Sequence, residues 1–130
     1  MRARAGLVYG VGALRSAARG DRLLWSIHRA ALANGIVPVV PALVVSEGYR
    51  TVARTDRLEA LLAGCEVETL SAEGARREGE LAARADVTDL VAAAVVEAAA
   101  RRNCAVVSAR QAGLRAVATQ LGHELVIYGL

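Results

Sequence analysis

Three carboxylates, Glu47, Asp86 and Asp89, are the groups with which this chain could do acid–base or metal chemistry. Glu47 stands in an apolar stretch, PALVVSEGYR, with few charged neighbours. A carboxylate buried there is costly unless it is paired or metal-bound, and Arg50 is a candidate partner. Asp86 and Asp89 open DVTDLVAAAVV, with the spacing of a helix N-cap followed by an acid three residues in. Asp89 would then lie one turn along a helix, near the strand ends if that helix packs on a sheet.

The other candidates lead to plainer readings. Gly10-Val11-Gly12-Ala13-Leu14-Arg15 follows an apolar run, as a nucleotide-binding turn would. A dinucleotide fingerprint needs a third glycine where Arg15 stands and an acid where strand two ends in Val39-Val40-Pro41. Neither is present, so the expectation is a tight strand-to-helix turn. His28 falls on the polar side of an amphipathic helix and His123 in a helix-to-strand turn, both expected at the surface. Ser108 has no histidine base to activate it. Cys65 and Cys104 form no metal or redox motif and suit a reduced, cytoplasmic protein.

The elements that must position the acids are organised around residues 86–114. A helix almost without polar residues, Leu90 to Ala100, ends at Arg101-Arg102-Asn103. A short apolar strand follows, Cys104 to Ser108, and then a helix from Gln111 to Leu121. A helix apolar on nearly all sides must be covered, and an apolar strand without alternation suits a parallel sheet buried on both faces. Upstream, Gly6 to Tyr9 reads as strand one, followed by a short helix and by a helix from Arg22 to Ala33. Asp21 caps that second helix and Asn34-Gly35 ends it. Ile36 to Val40 is strand two, and Pro41 suits the first turn of the helix carrying Glu47 and Arg50. Thr55 to Leu62 is helical, Cys65 to Leu70 is a strand near an edge, Ser71 to Ala85 a charged helix, and Glu124 to Tyr128 the last strand. The alternation predicts one α/β domain over 1–130, a three-layer α/β/α sandwich with a mostly parallel five-stranded sheet. Such sheets place their chemistry at the strand carboxyl ends, here near Ser108, Ala109 and Arg110.

Composition narrows the class. The 55% hydrophobic and 22% charged fractions describe a globular domain, and no apolar stretch is long and uncharged enough to span a bilayer. All 16 basic residues are arginine, which together with the alanine and valine excess reads as coding bias. A net charge of +3 allows weak attraction to nucleic acid without establishing it. The opening MRARAGLVYGVGALRSAARG has the order of a secretory leader, but glycines and Arg15 interrupt its apolar run and it reads better as strand then helix.

These stretches together resemble the PIN-domain family, in particular the VapC-like toxins of toxin–antitoxin pairs. The resemblance covers nearly the whole chain and rests on LVYGVGALRSAARGDRLLW, VPVVPALVVSEGYR, DVTDLVAAAVV, CAVVSARQAGL and ELVIYGL. Family members read VLDAGAL at the first strand, carry an acid in the third helix, open the central helix with a D-A pair, and read VVTSD at strand four. The resemblance implies acids that hold Mg²⁺ or Mn²⁺ and cut RNA by metal-activated water. It also implies a homodimer and a small antitoxin-like partner.

Carried over by position, the match is partial. Glu47 stands at the family's second acid and Asp89 at the third, with Asp86 as a neighbouring acid. The first acid is replaced by Gly10, the fourth by Arg110, and a further one by Gly113. Relative to aspartates, Gly10 adds one unit of positive charge and Arg110 adds two. One charge about 5 Å away contributes roughly 3 kcal/mol at an effective dielectric near 20. The expectation is that Arg110 lies among Glu47, Asp86 and Asp89 as an internal counter-ion, leaving a catalytically impaired domain that works by binding protein or RNA. Arg15, Arg19, Arg50, Arg54 and Arg110 could then serve RNA phosphates. The alternative is an active metal-dependent endoribonuclease using Glu47, Asp86 and Asp89.

Overall fold

The computed structural model describes residues 6–109, 112–122 and 124–130. In chain order the elements are β1 (Leu7–Tyr9), α1 (Val11–Ala18), α2 (Arg22–Ala33), β2 (Val39–Pro41), α3 (Ala42–Thr51) and α4 (Asp56–Ala63). They continue with β3 (Glu66–Glu68), α5 (Ala72–Arg84), α6 (Leu90–Arg102), β4 (Ala105–Ser108), α7 (Ala112–Leu121) and β5 (Ile127–Gly129). The five strands form one sheet in the order β3-β2-β1-β4-β5, and all four pairings are parallel.

This order dictates where the helices lie. The chain steps outward from β1 to β2 to β3, then crosses back to β4 on the other side of β1 and on to β5. Right-handed crossovers put the helices of the first two steps on one face and those of the return on the other. The packing agrees. α1 lies against β1, β4, α2, α3 and α4, whereas α6 lies between α5 and α7 and against β1, β2 and β4. The reversal between β1 and β4 leaves a crevice at their carboxyl ends.

Sequence and structure meet most closely at the helix termini. The Asp21 side chain accepts a hydrogen bond from the Leu24 N–H at 3.0 Å, and Ser71 accepts one from the Gly74 N–H at 3.0 Å. α6 buries Ala92 to Ala99 and ends on Asn103 with φ of 54°. β4 is buried over its whole length, as its unalternating apolar composition requires. β3 is an edge strand, and its glutamates alternate about Val67.

Two local expectations are corrected. Asp86 does not cap the central helix. It takes a left-handed φ of 54° just past α5, with its N–H on the Ala83 carbonyl and the Val87 N–H on the Ala82 carbonyl. That is a helix C-terminal lock, and Asp tolerates the left-handed conformation better than most residues. Asp89 is the N-cap instead. His28 is buried, not exposed: the Tyr9 hydroxyl lies 2.8 Å from its Nδ1 and Trp25 packs edge-on at 5.6 Å. A helix with two apolar neighbours to cover has a wider buried face than its polarity pattern shows. His123 lies outside the described residues.

One glycine sets how closely α1 approaches β4. A Cβ on Gly12 would come within 2.6 Å of the Ala109 nitrogen, a backbone atom that cannot step aside. Gly79, in the middle of α5, has nothing within 4 Å of the same position. We therefore expect Gly12→Ala to destabilise the fold by about 1–3 kcal/mol, and Gly79→Ala to stabilise it by about 0.5–1 kcal/mol. Thermal denaturation of both variants checks this, and equal effects of one sign would contradict it.

Candidate functional site at the strand carboxyl ends

The crevice between β1 and β4 is a cleft of about 260 Å³. Gly10 and Gly12 line it from the start of α1, Arg15 from one turn later, Glu47 from α3, Asp89 from the start of α6 and Ser108 from the end of β4. The topology thus brings together Glu47 and Asp89, which lie far apart in the chain. Asp86 does not line the cleft and is exposed. Arg110 lies outside the described residues, so its expected place among the acids is not one of the contacts seen here.

Glu47 has other cations. Its carboxylate accepts two hydrogen bonds from Arg50, at 2.7 Å from Nε and 2.5 Å from Nη2. This fork is the strong, bidentate form of the pair. Arg15 approaches the same carboxylate at 3.8 Å. Thr51 fixes that approach: its hydroxyl donates to the Glu47 carbonyl at 2.8 Å and accepts from Arg15 Nε at 3.2 Å. The Arg50 hydrogen bonds hold the Glu47 carboxyl below its ordinary 4.5. Desolvation opposes them less strongly, and the charges of Arg50 and Arg15 add to the depression. Arg15 was a poor glycine in the fingerprint reading. Its position one turn into a helix that starts at the strand end was the available sign of its role here.

Asp89 is engaged differently. Its Oδ1 accepts from the Val91 and Ala92 N–H groups at 3.0 and 3.1 Å, which caps α6. Gly10 and Gly113, two of the positions where acids were expected to have been replaced, also differ from each other. A Cβ on Gly10 would lie 3.1 Å from Ser108 Oγ and 3.2 Å from its Cβ, so the serine fills that side of the cleft. A Cβ on Gly113 would meet nothing within 4 Å. Among the described residues, no three of the His, Cys, Asp and Glu side chains are grouped so as to hold a metal ion.

The surroundings are basic on one side. Arg15, Arg19 and Arg54 line a groove that also includes Thr51. Arg15 is shared between this groove and the cleft, and the Arg54 side chain is 87% exposed. The remaining reactive groups are quiet. Burial pushes the Cys65 thiol up to about 12 and raises Cys104 too, so neither is a thiolate nucleophile at neutral pH. Burial, and to a lesser degree the Arg29 charge, lowers His28 below its ordinary value and keeps it neutral. Both cysteines are free. Among the described residues, no helix is long and apolar enough to cross a membrane.

No family model matches this chain, and no curated protein does. Solved structures do. The chain is similar to a structure of VapBC2 from Rickettsia felis bound to a DNA fragment from their promoter, with a TM-score of 0.67 and 13% identity, covering 97% of this chain and 99% of that one. It is also similar to PAE2754 from Pyrobaculum aerophilum, with a TM-score of 0.64 and 12% identity, covering 95% of this chain and 83% of that one. At these identities the likeness is one of fold, and the fold is PIN-like.

The Glu47 pairing has a pH signature. Its folded value is depressed, so its contribution to stability is present above the unfolded value and is lost as pH falls through the folded one. Glu47→Gln should therefore be less stable than the parent chain at neutral pH. The gap should close as pH drops below the ordinary 4.5. Denaturant melts across that range check it, and a gap independent of pH would contradict it.

Proposed function

We propose that this chain is a degenerate, VapC-like PIN domain that works by binding and not by cutting RNA. The observation that carries the reading is the bidentate Arg50 fork on Glu47, reinforced by Arg15. A carboxylate so neutralised offers a hard divalent ion little, and the ion would have to displace a guanidinium to reach it. The donors among the described residues, Glu47 and the N-capping Asp89, do not fit a Mg²⁺ or Mn²⁺ cage.

What remains is a cleft with a basic groove beside it. Arg19 and Arg54 could contact phosphates of a single strand, and counterion release would make that binding salt-dependent. The other partners we propose on family grounds are a second copy of the chain and a small antitoxin-like protein. The free thiols support a reducing, cytoplasmic setting.

A second reading is favoured by one observation: Glu47 and Asp89 line the same cleft, as they would in a working Mg²⁺- or Mn²⁺-dependent endoribonuclease. Asp86, the third acid of that reading, would have to be recruited from outside it. One experiment separates the two. A labelled single-stranded RNA is followed by anisotropy in EDTA, and then by gel in Mn²⁺, with the parent chain, Arg19→Gln/Arg54→Gln and Asp89→Asn. Asparagine keeps the N-cap, so a loss on that substitution is not a loss of fold. We expect binding that survives EDTA, weakens several-fold in the double arginine variant and with added salt, and leads to no cleavage. Cleavage that needs Mn²⁺ and disappears in Asp89→Asn would overturn the proposal in favour of the enzyme.

A further inference from the structure

A second cavity, of about 280 Å³, shares no lining residue with the carboxyl-end cleft. It lies between the start of α3, the turn after β3, the first turns of α5 and the later turns of α6. Glu68, Glu78 and Glu97 line it together with Arg77 and Arg101. Both arginines are committed. Glu97 accepts from Arg77 Nε at 2.8 Å and from Arg101 Nε at 3.0 Å, and Arg101 also pairs with Glu68. Glu68 is further held by Arg102 at 2.6 Å.

Glu78 is left over. Its side chain belongs to a residue only 7% exposed, and its Oε1 is buried with no hydrogen-bond partner among the described residues. Native interiors seldom leave such an atom unsatisfied, because the lost hydration is not returned. Burial raises the Glu78 carboxyl above its ordinary value, and the charges of Glu97 and Glu68 raise it further, against the opposing effect of Arg77 and Arg101. With Arg102 and its second partner Glu66 counted beside the lining groups and all ionised, four carboxylates face three guanidiniums, a surplus of one negative charge. Pro41, Leu43 and Leu70 supply an apolar wall.

These features select a ligand class. A divalent ion would have to take carboxylates from guanidiniums that already hold them. A monocation with several N–H donors on an aliphatic stem meets the surplus charge, the carboxylate that no salt bridge among the described residues holds and the apolar wall together. We propose that this cavity binds a guanidinium or primary ammonium group on a short aliphatic chain, with Glu78 as its counter-ion. Glu78 lines the cavity, so the cation meets the carboxylate's charge, which both oxygens share, without having to reach Oε1 itself. The same cation chemistry could arrive as a free amine or as an arginine or lysine side chain of a peptide.

The test is an NMR titration of the full chain at mildly alkaline pH with N-butylguanidine, with a capped tripeptide carrying one arginine, and with neutral N-butylurea. Saturable amide shifts confined to Thr69–Gly74 and the neighbourhood of Arg101 are expected with the two monocations and not with the urea. Tighter binding of butylguanidine assigns the site to a free small molecule, and tighter binding of the peptide assigns it to a polypeptide. Glu78→Gln should weaken butylguanidine at least about tenfold, the scale of one charge-assisted hydrogen bond. Should that variant not fold, the parent chain suffices: affinity must fall as pH drops toward the raised Glu78 value, beginning above the ordinary glutamate range. No saturable shift at millimolar butylguanidine, shifts centred on Glu47, equal binding by Glu78→Gln, or affinity independent of pH would each overturn the proposal.

Discussion

A glutamate withdrawn from bulk water must meet a positive charge, and in this chain the only basic side chains besides histidine are arginines. The guanidinium makes this workable, because its planar fork can satisfy both oxygens of a carboxylate at once. Arg50 does so for Glu47, which is only partly withdrawn, at the carboxyl ends of the strands. Arg77 and Arg101 share Glu97 on α6, and Arg101 and Arg102 join α6 to the edge strand β3 through Glu68. The last set ties the sheet edge to the central helix, an attachment that a three-residue strand could not supply by its own ladder. Glu78 is the exception to the pattern, and its exceptional state is what sets the second cavity apart from a structural salt-bridge network.

The carboxyl-end cleft follows from topology and from two glycines. Reversal of winding between β1 and β4 opens a crevice, and Gly12 lets the backbone at Ala109 close its floor. Ser108 packs against the face of Gly10 that a side chain would otherwise occupy. The shape of the site thus belongs to the fold, whereas its charge belongs to individual side chains. That separation lets a chain keep a PIN-like fold at 13% identity to a solved neighbour, because the fold does not dictate which side chains line the cleft.

Much of the fold was legible because its signals are local. α2 runs from Arg22 to Ala33 as its cap and terminator dictate, and β4 is as buried as its composition implies. The strands are shorter than their apolar runs, since pairing stops where the parallel neighbour stops. Val39–Pro41 is paired where Ile36–Val40 was expected, and Pro41 ends the strand as well as opening α3. Of the contacts at the site, the Arg50–Glu47 pair was legible, because its partners lie three residues apart in one helix. Glu47 and Asp89 line one cleft, but the cap moved from Asp86 to Asp89, because only the left-handed turn after α5 decides which acid starts α6. The approach of Arg15 to Glu47 and the Glu68–Arg101–Glu97–Arg77 chain were missed, since partners brought together by the fold leave no spacing in the sequence. His28 was misplaced for the same reason: its burial depends on Tyr9 and Trp25.

The central claim is that guanidinium, not metal, answers the charge of Glu47. Paramagnetic broadening tests it most directly, by adding micromolar Mn²⁺ to the isotope-labelled chain and following the amide signals of Gly10, Val91 and Ala92 around the cleft. The account predicts that they stay as sharp as those of the distant helix α2. Selective loss of those signals, restored by EDTA, would mean that the ion displaces Arg50 and that the cleft is a metal site after all.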